Sequence, residues 1–177
     1  MNELAERLAR RYDAEGWHEQ RKDLASISIP ALRVRDVLAW LRDEEGYKHL
    51  SFITAIDNIE RGVFTLTYTV RNHDTKHSLM VHADIIRENP VVDSVHLLWE
   101  QAWTYQRELK EWFGIDCPGS PRKDEEFVLE GWDQLPMMRR DFDSLAYSNA
   151  TYAERPGRVT HDPAAYMKAQ LYPEADQ

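Results

Sequence analysis

Apolar side chains recur along this chain with two different periods, and the switches between those periods mark its elements. Leu4, Leu8 and Tyr12 stand four apart, which predicts a short amphipathic helix over 2–12 with Arg7, Arg10 and Arg11 on its solvated face. The stretch "SISIP" fits a short strand. Beyond it Val34, Val37, Leu38 and Leu41 fall at i, i+3, i+4 and i+7, predicting a helix near 31–44 that Gly46 is placed to end. From residue 48 the period drops to two. Leu50, Phe52, Thr54 and Ile56 share one side of a strand over 48–56, Phe64, Leu66, Tyr68 and Val70 one side of a strand over 63–71, and Leu79, Val81 and Ala83 one side of a strand over 75–83. "DNIERG" and "RNHDT" supply the turns, so the three strands are expected to form an antiparallel meander.

The helical period returns after Pro90. Asp93 or Ser94 is available as N-cap, and Val95, Leu98, Trp99, Ala102, Tyr105, Leu109, Trp112 and Phe113 keep a three-four spacing, predicting a helix near 94–113 with room for a break near Gln101. Gly114 can take the left-handed C-cap, Ile115 can fold back on the last turn, and Pro118 forbids continuation. Helix, meander, helix is the order of an α+β fold: an antiparallel or mixed sheet packed by helices on one face, followed by a long loop and an extended tail. The expected division is a domain over 1–142 and a partner-binding tail over 143–177. That tail has few large aliphatic residues and one short helical stretch, "PAAYMKAQL".

Charge and cysteine content narrow the function classes. The 177 residues suit one domain, and 22 basic against 31 acidic side chains give a net charge of −9, the wrong sign for a phosphate backbone. Nucleic acid is therefore not expected as a partner. No run approaches the ~20 apolar residues that span a bilayer, and "MNELAERLARRYD" mixes charge into the region where a signal peptide is apolar, so a cytosolic or peripheral protein is expected. Cys117 is the only cysteine. It allows no internal disulfide and cannot hold an iron–sulfur cluster, so no cofactor is expected on the chain itself. Asp116 beside it works against a thiolate, which predicts an inert loop thiol.

Catalytic patterns are sparse. His73 and His77 stand four apart across a turn and a strand, not on one helix face, so the spacing does not aim two imidazoles at one metal. His77, Ser78, His82 and Asp84 supply the residue types of a small hydrolytic site, but no GxSxG elbow frames a nucleophile. Neither GxGxxG nor GxxxxGK[ST] occurs. What remains is a charged constellation: Arg107, Glu108 and Glu111 on the helix predicted near 94–113, Arg122 and Lys123 after it, and Arg139, Arg140 and Asp141 beyond a proline-bounded loop. Arg107 and Glu111 have i,i+4 spacing for an ion pair. A loop of this length inside a small domain usually has a function, and arginine forks among carboxylates are suited to tie it down or to hold a partner's acidic groups. Three classes follow: a structural subunit, a small soluble enzyme using His77, His82 and Asp84, or a free-standing adaptor for an acidic protein.

The run "AWTYQRELKEWFGI" followed by "PGSPRKDEEFVLEGWDQLPMMRRDF" resembles the signature region of the 30 kDa subunit of respiratory complex I, the NADH:quinone oxidoreductase. The same subunit type occurs in energy-converting membrane-bound nickel–iron hydrogenases. Tyr105, Arg107, Glu108, Phe113, Gly114, Ile115, Gly119, Pro121, Arg122, Arg139, Asp141 and Phe142 match the family pattern in order, and the resemblance extends over about 47–142. Gln106 stands where the family has a glutamate, Ser120 where it has a histidine, Arg140 where it often has lysine, and Pro136 near a second histidine. The resemblance implies a non-catalytic subunit without cofactor, catalytic or metal-binding residues. It implies peripheral placement on the cytoplasmic face of the cell membrane, where the protein packs against the hydrogenase-like large subunit near the small subunit that bears the terminal iron–sulfur cluster. The matched positions other than Ile115, with Arg140, are then the docking residues, and Arg107, Glu108, Arg122, Arg139 and Asp141 are expected to form one polar network fixing the 117–142 loop.

Overall fold

A computed structural model describes residues 2–152 and Met167. Helix α1 (Asn2–Tyr12) leads into strands β1 (Glu15–Arg21) and β2 (Leu24–Ser28), then a single 3₁₀ turn (Ala31–Arg33) and helix α2 (Val34–Asp43). Strands β3 (His49–Asn58), β4 (Val63–Asn72) and β5 (His77–Ile86) follow, then α3 (Ala102–Phe113) and α4 (Ser144–Thr151). The five strands form one sheet in the order β1-β2-β5-β4-β3. β3, β4 and β5 are the expected antiparallel meander, while β2 joins β5 in parallel, which makes the sheet mixed. The fold is α+β, as the periodicity predicts.

The core lies between the sheet and the helices. Leu8 of α1, Val37, Leu38 and Leu41 of α2 and Leu109 of α3 meet Leu50, Phe64, Leu66, Tyr68, Leu79 and Val81 of the sheet, all buried. Each such side chain contributes about 1.5–3 kcal/mol of transfer free energy. Arg7 and Arg11 are exposed, as expected, and also lay their guanidinium groups over the Trp40 ring at 5.8 Å.

Three expectations need correction. A bulge at Ser51 breaks the β3 register between Leu50 and Phe52, so Leu50 shares the buried face with Ile53 and Ala55, while Phe52, Thr54 and Ile56 turn outward. One inserted residue reverses every side chain beyond it. Helix α3 begins at Ala102 rather than near 94, and neither Asp93 nor Ser94 caps it. Residues 94–101 bury Val95 and Trp99 in successive turns whose side chains bind the β3 backbone: Trp99 Nε1 donates to the Lys48 carbonyl at 2.8 Å, and Gln101 Nε2 donates to the Leu50 carbonyl. Finally, β1 has no counterpart among the elements the periodicity predicts. Its sequence EGWHEQR is almost wholly exposed and offers only Trp17 to the core, as suits an edge strand.

The chain divides into two units, Met1–Phe142 and Asp143–Gln177. In the second, Asp143 caps α4 by accepting the Ala146 N–H at 2.9 Å. The helical stretch expected at 163–171 lies outside the described residues, apart from Met167.

Candidate functional site

Between Cys117 and Phe142 the chain forms neither helix nor strand, yet it is fastened to the domain at both ends. Its departure point is chemically defined. Gly114 closes α3 with φ 76°, and its N–H returns to the Lys110 carbonyl at 2.9 Å. A Cβ at this position would meet Pro136 Cγ at 3.4 Å and Arg139 Nη1 at 3.8 Å, ordinary contacts with the returning arm, so it is the left-handed backbone that favours glycine. Ile115 and Cys117 are buried where the chain leaves α3. Burial, with Asp116 adding to it, pushes the Cys117 thiol up to about 12, the direction that disfavours a thiolate.

The near half of the arm is bound to α3. Glu111 accepts the backbone N–H groups of Phe127 at 2.6 Å and Val128 at 2.9 Å, and Arg107 donates to the carbonyls of Glu125 and Glu126. The expected Arg107–Glu111 pair is therefore replaced: both side chains are used on the arm's backbone, whose polar groups lack a ladder or helix to satisfy them. Trp103 lies between two guanidinium groups, Arg107 and Arg122 each at 5.5 Å, and Arg122 is in turn paired with Glu125 at 2.5 Å. One Asp116 oxygen receives Lys110 at 2.8 Å and Lys123 at 2.9 Å, and these hydrogen bonds hold its carboxyl below the usual carboxylate range. A cleft of about 270 Å³ remains between α3 and the arm, walled by Arg107, Lys110, Lys123, Leu129, Trp132 and Pro136.

The far half is bound to the sheet. Arg87, just beyond β5, donates Nε at 2.8 Å and Nη2 at 3.0 Å to the two oxygens of Asp57 on β3, and Nη2 also reaches Asp141 at 2.7 Å. Asp57 Oδ2 receives in addition the Arg140 backbone N–H at 2.8 Å. Burial pushes the Asp57 carboxyl up, but the bonds from Arg87 and Arg140 outweigh it and leave the group below its ordinary value. The Arg87 guanidinium is held charged by Asp57 and then by Asp141. Arg139 and Arg87 both lie over the Phe64 ring, at 5.5 and 5.7 Å, and Phe113 meets the same ring edge-on at 5.9 Å. Arg139 Nε stands 3.6 Å from Asp141, too long for a hydrogen bond, and is buried without another partner. The Arg140 side chain pairs with Glu60 at 2.7 Å.

The expected single network is thus two clusters: Arg107 and Arg122 belong to the α3 cluster, Arg139, Arg140 and Asp141 to the sheet cluster, and exposed Glu108 enters neither set of contacts. Tyr105 donates to the Ser51 carbonyl at 3.0 Å and ties α3 to β3. Gly119 has φ 82° in the turn before Pro121, and Phe142 meets Trp132 at 5.7 Å. Asp57 and Arg87, which hold the arm's far end, are absent from the sequence-based set. The available sequence signal is a lone aspartate in the apolar alternation of "ITAIDN".

The residues weighed for a soluble enzyme are not brought together. Strand alternation puts His77 on the buried face and His82 and Asp84 on the opposite one. His77 Nδ1 is bonded to the Tyr47 hydroxyl at 2.7 Å, His82 Nδ1 to the Thr67 hydroxyl at 2.9 Å, and Asp84 to Arg61. Among the described residues, no group of three or more His, Cys, Asp or Glu side chains could hold a metal ion, and no helix is long and apolar enough to cross a membrane.

Residues 27–148 match the family model described as "Respiratory-chain NADH dehydrogenase, 30 Kd subunit". The C subunit of NADH-quinone oxidoreductase from Novosphingobium aromaticivorans is 30% identical over 138 residues, covering 77% of this chain and 44% of that protein. Its counterpart from Erythrobacter litoralis is 28% identical over 147 residues, covering 82% and 58%. The chain spans about half the length of these two relatives. Its fold is also that of a chain in the membrane-bound sulfane sulfur reductase, an archaeal respiratory membrane complex, with TM-score 0.77 and 23% identity over 90% of this chain and 98% of that one. The matched span contains the whole meander, α3 and both clusters that fasten the arm, and the chain belongs to the family of the respiratory-chain NADH dehydrogenase 30 kDa subunit.

Proposed function

We propose that this chain is a non-catalytic structural subunit of a membrane-associated electron-transfer complex of the NADH:quinone oxidoreductase type. In this reading the 117–142 arm docks the hydrogenase-like large subunit near the small subunit that holds the terminal iron–sulfur cluster. The observation that carries it is the arm itself. A segment without secondary structure is fixed at both ends by charged side chains, while Val128, Leu135 and Met138 along it remain exposed. Fixing the arm before association reduces the ordering entropy that docking would otherwise have to overcome. Peripheral attachment to the cytoplasmic face, through partner subunits, goes with this role. Purification of the natively expressed chain, with mass spectrometry of what accompanies it, tests the reading. A hydrogenase-like large subunit and an iron–sulfur subunit in equal amounts are expected, and a chain recovered alone overturns it.

A second reading, the equivalent subunit of an energy-converting nickel–iron hydrogenase, rests on Gln106 and Ser120. Both are buried where the resemblance leads one to expect glutamate and histidine, and Gln106 Oε1 accepts from the Ser94 hydroxyl at 2.8 Å. The identity of the co-purifying large subunit separates the two.

A further inference from the structure

The open end of the β3–β4 hairpin carries a pair of side chains that the docking arm does not use. His49 begins β3 opposite Arg71, and His73 follows Arg71 by two positions, so the two imidazoles are diagonal neighbours across the ladder. Their ring centroids are 5.1 Å apart and their planes are inclined at 55°. Both residues are exposed, and among the described residues neither ring has a hydrogen-bond or ion-pair partner. Sequence spacing relates His73 only to His77. The fold turns His77 inward to Tyr47 and gives His73 a different neighbour.

The separation suits a shared ion. An imidazole nitrogen binds a first-row metal at about 2.0–2.1 Å, which puts the ring centre roughly 3.2 Å from the metal; two such rings at a metal angle of about 90–110° have centres roughly 4.5–5.2 Å apart. The backbone at both histidines is also fixed. Trp99 Nε1 holds the Lys48 carbonyl next to His49 at 2.8 Å. Asn72, next to His73, accepts the N–H groups of Asp74 and Thr75 at 2.9 and 3.0 Å and donates to the Glu45 carbonyl at 3.0 Å. Side-chain rotation is then the main freedom an ion has to arrest in bringing the two rings to it.

We propose that His49 and His73 form an open two-imidazole site for a late first-row divalent ion, with Cu(II) bound most tightly. Two nitrogen donors and no paired carboxylate favour Cu(II), Ni(II) and Zn(II) over Mg(II) or Ca(II), and the Irving–Williams order puts Cu(II) first. The neighbouring cations Lys48 and Arg71 act in the same direction, penalising any ion that gains little from nitrogen. Arg71 itself is engaged with the Ser78 hydroxyl at 3.1 Å. Water fills the other coordination positions, since among the described residues no third acidic, histidine or cysteine side chain completes a metal-holding group with this pair.

The test is a Cu(II) titration of the full chain without an affinity tag, followed by calorimetry and by electron paramagnetic resonance. One ion per chain with two coordinated imidazole nitrogens is expected. His49→Ala and His73→Ala should each weaken binding at least about tenfold, whereas His18→Ala, on exposed β1, should leave it unchanged. In the unmodified chain, Cu(II) should broaden the amide signals of residues 48–50 and 72–74 before others, which tests the site without any substitution. Undiminished binding in both variants, an equal loss in His18→Ala, or broadening that begins elsewhere overturns the proposal.

Discussion

Asp57 and Arg87 form a two-pronged ion pair, 2.8 and 3.0 Å, in which the carboxylate side chain is 1% exposed and the guanidinium 14%. The pair joins the ends of two strands, and through the Arg140 N–H and Asp141 it also closes the far end of the arm. Removing one charge from such a pair leaves the other poorly solvated. Because Arg87 keeps Asp141, Asp57→Asn should destabilise the chain by about 2–4 kcal/mol, at or below the ~3–5 kcal/mol range for breaking a buried pair. Urea unfolding measures the loss, and limited proteolysis should show faster cleavage near 136–142. A change under about 0.5 kcal/mol would contradict this account of the pair.

Glu111 and Glu108 sit three apart on α3 and are predicted to behave differently. Glu111 satisfies the Phe127 and Val128 N–H groups, whereas Glu108 points away from the arm contacts. Glu111→Ala should cost about 1–3 kcal/mol, the range for charge-assisted bonds to backbone donors, and expose the 125–131 segment to protease. Glu108→Ala should leave both stability and cleavage within error in the isolated chain. Any effect of Glu108→Ala on recovery of a large subunit would then report docking rather than folding. Equal protease sensitivity of the two variants would remove Glu111 from its assigned role.

The meander is legible because β4 and β5 each keep one apolar face at a two-residue period, Phe64, Leu66, Tyr68 and Val70 in the first and Leu79, Val81, Ala83 and Ile85 in the second. Residues 94–101 are not legible for the opposite reason. Val95, Leu98 and Trp99 have helical spacing, but Trp99 and Gln101 exchange a continuing helix for bonds to β3. The bulge at Ser51 leaves no mark in the apolar pattern, since Phe52, Ile53, Thr54, Ala55 and Ile56 tolerate either facing. At the site, the motif contains Arg139 and Asp141, while the residues that meet the far end of the arm, Asp57 and Arg87, depend on the arm's return across a long sequence separation. No local period encodes that.

Cys117 should resist thiol reagents in the folded chain. It is 1% exposed, and burial pushes its thiol up to about 12, so the thiolate is scarce at neutral pH. Ellman's reagent should label it only after denaturant is added, at the rate the chain unfolds. Cys117→Ser puts a hydroxyl in the same apolar space and should cost about 1–3 kcal/mol. Rapid labelling without denaturant would show that the segment around Cys117 opens readily.

Stability should fall on acidification through two sets of groups. His77 is pushed below its ordinary 6.5, first by burial, and its Nε2 is buried without a partner; His82 moves in the same direction, also by burial, against the pull of Asp84. A base depressed in the folded state binds more protons when unfolded, so its contribution is fully present above about pH 6.5 and is lost as pH falls below that. The slope is at most about 1.4 kcal/mol per pH unit for each group. The carboxyls of Asp57, Asp116 and Asp141 are depressed from 3.8, so their contribution persists through this first window and is lost only when pH falls below about 4. Urea midpoints measured from pH 8 to pH 3 should therefore begin to decline as pH falls through about 6.5, with a further contribution to the decline below about 4. His77→Gln, neutral throughout, should reduce the first decline while leaving the second, and Asp57→Asn should do the reverse. If His77→Gln left the first decline unchanged, the neutral buried imidazole bonded to Tyr47 would not be its source.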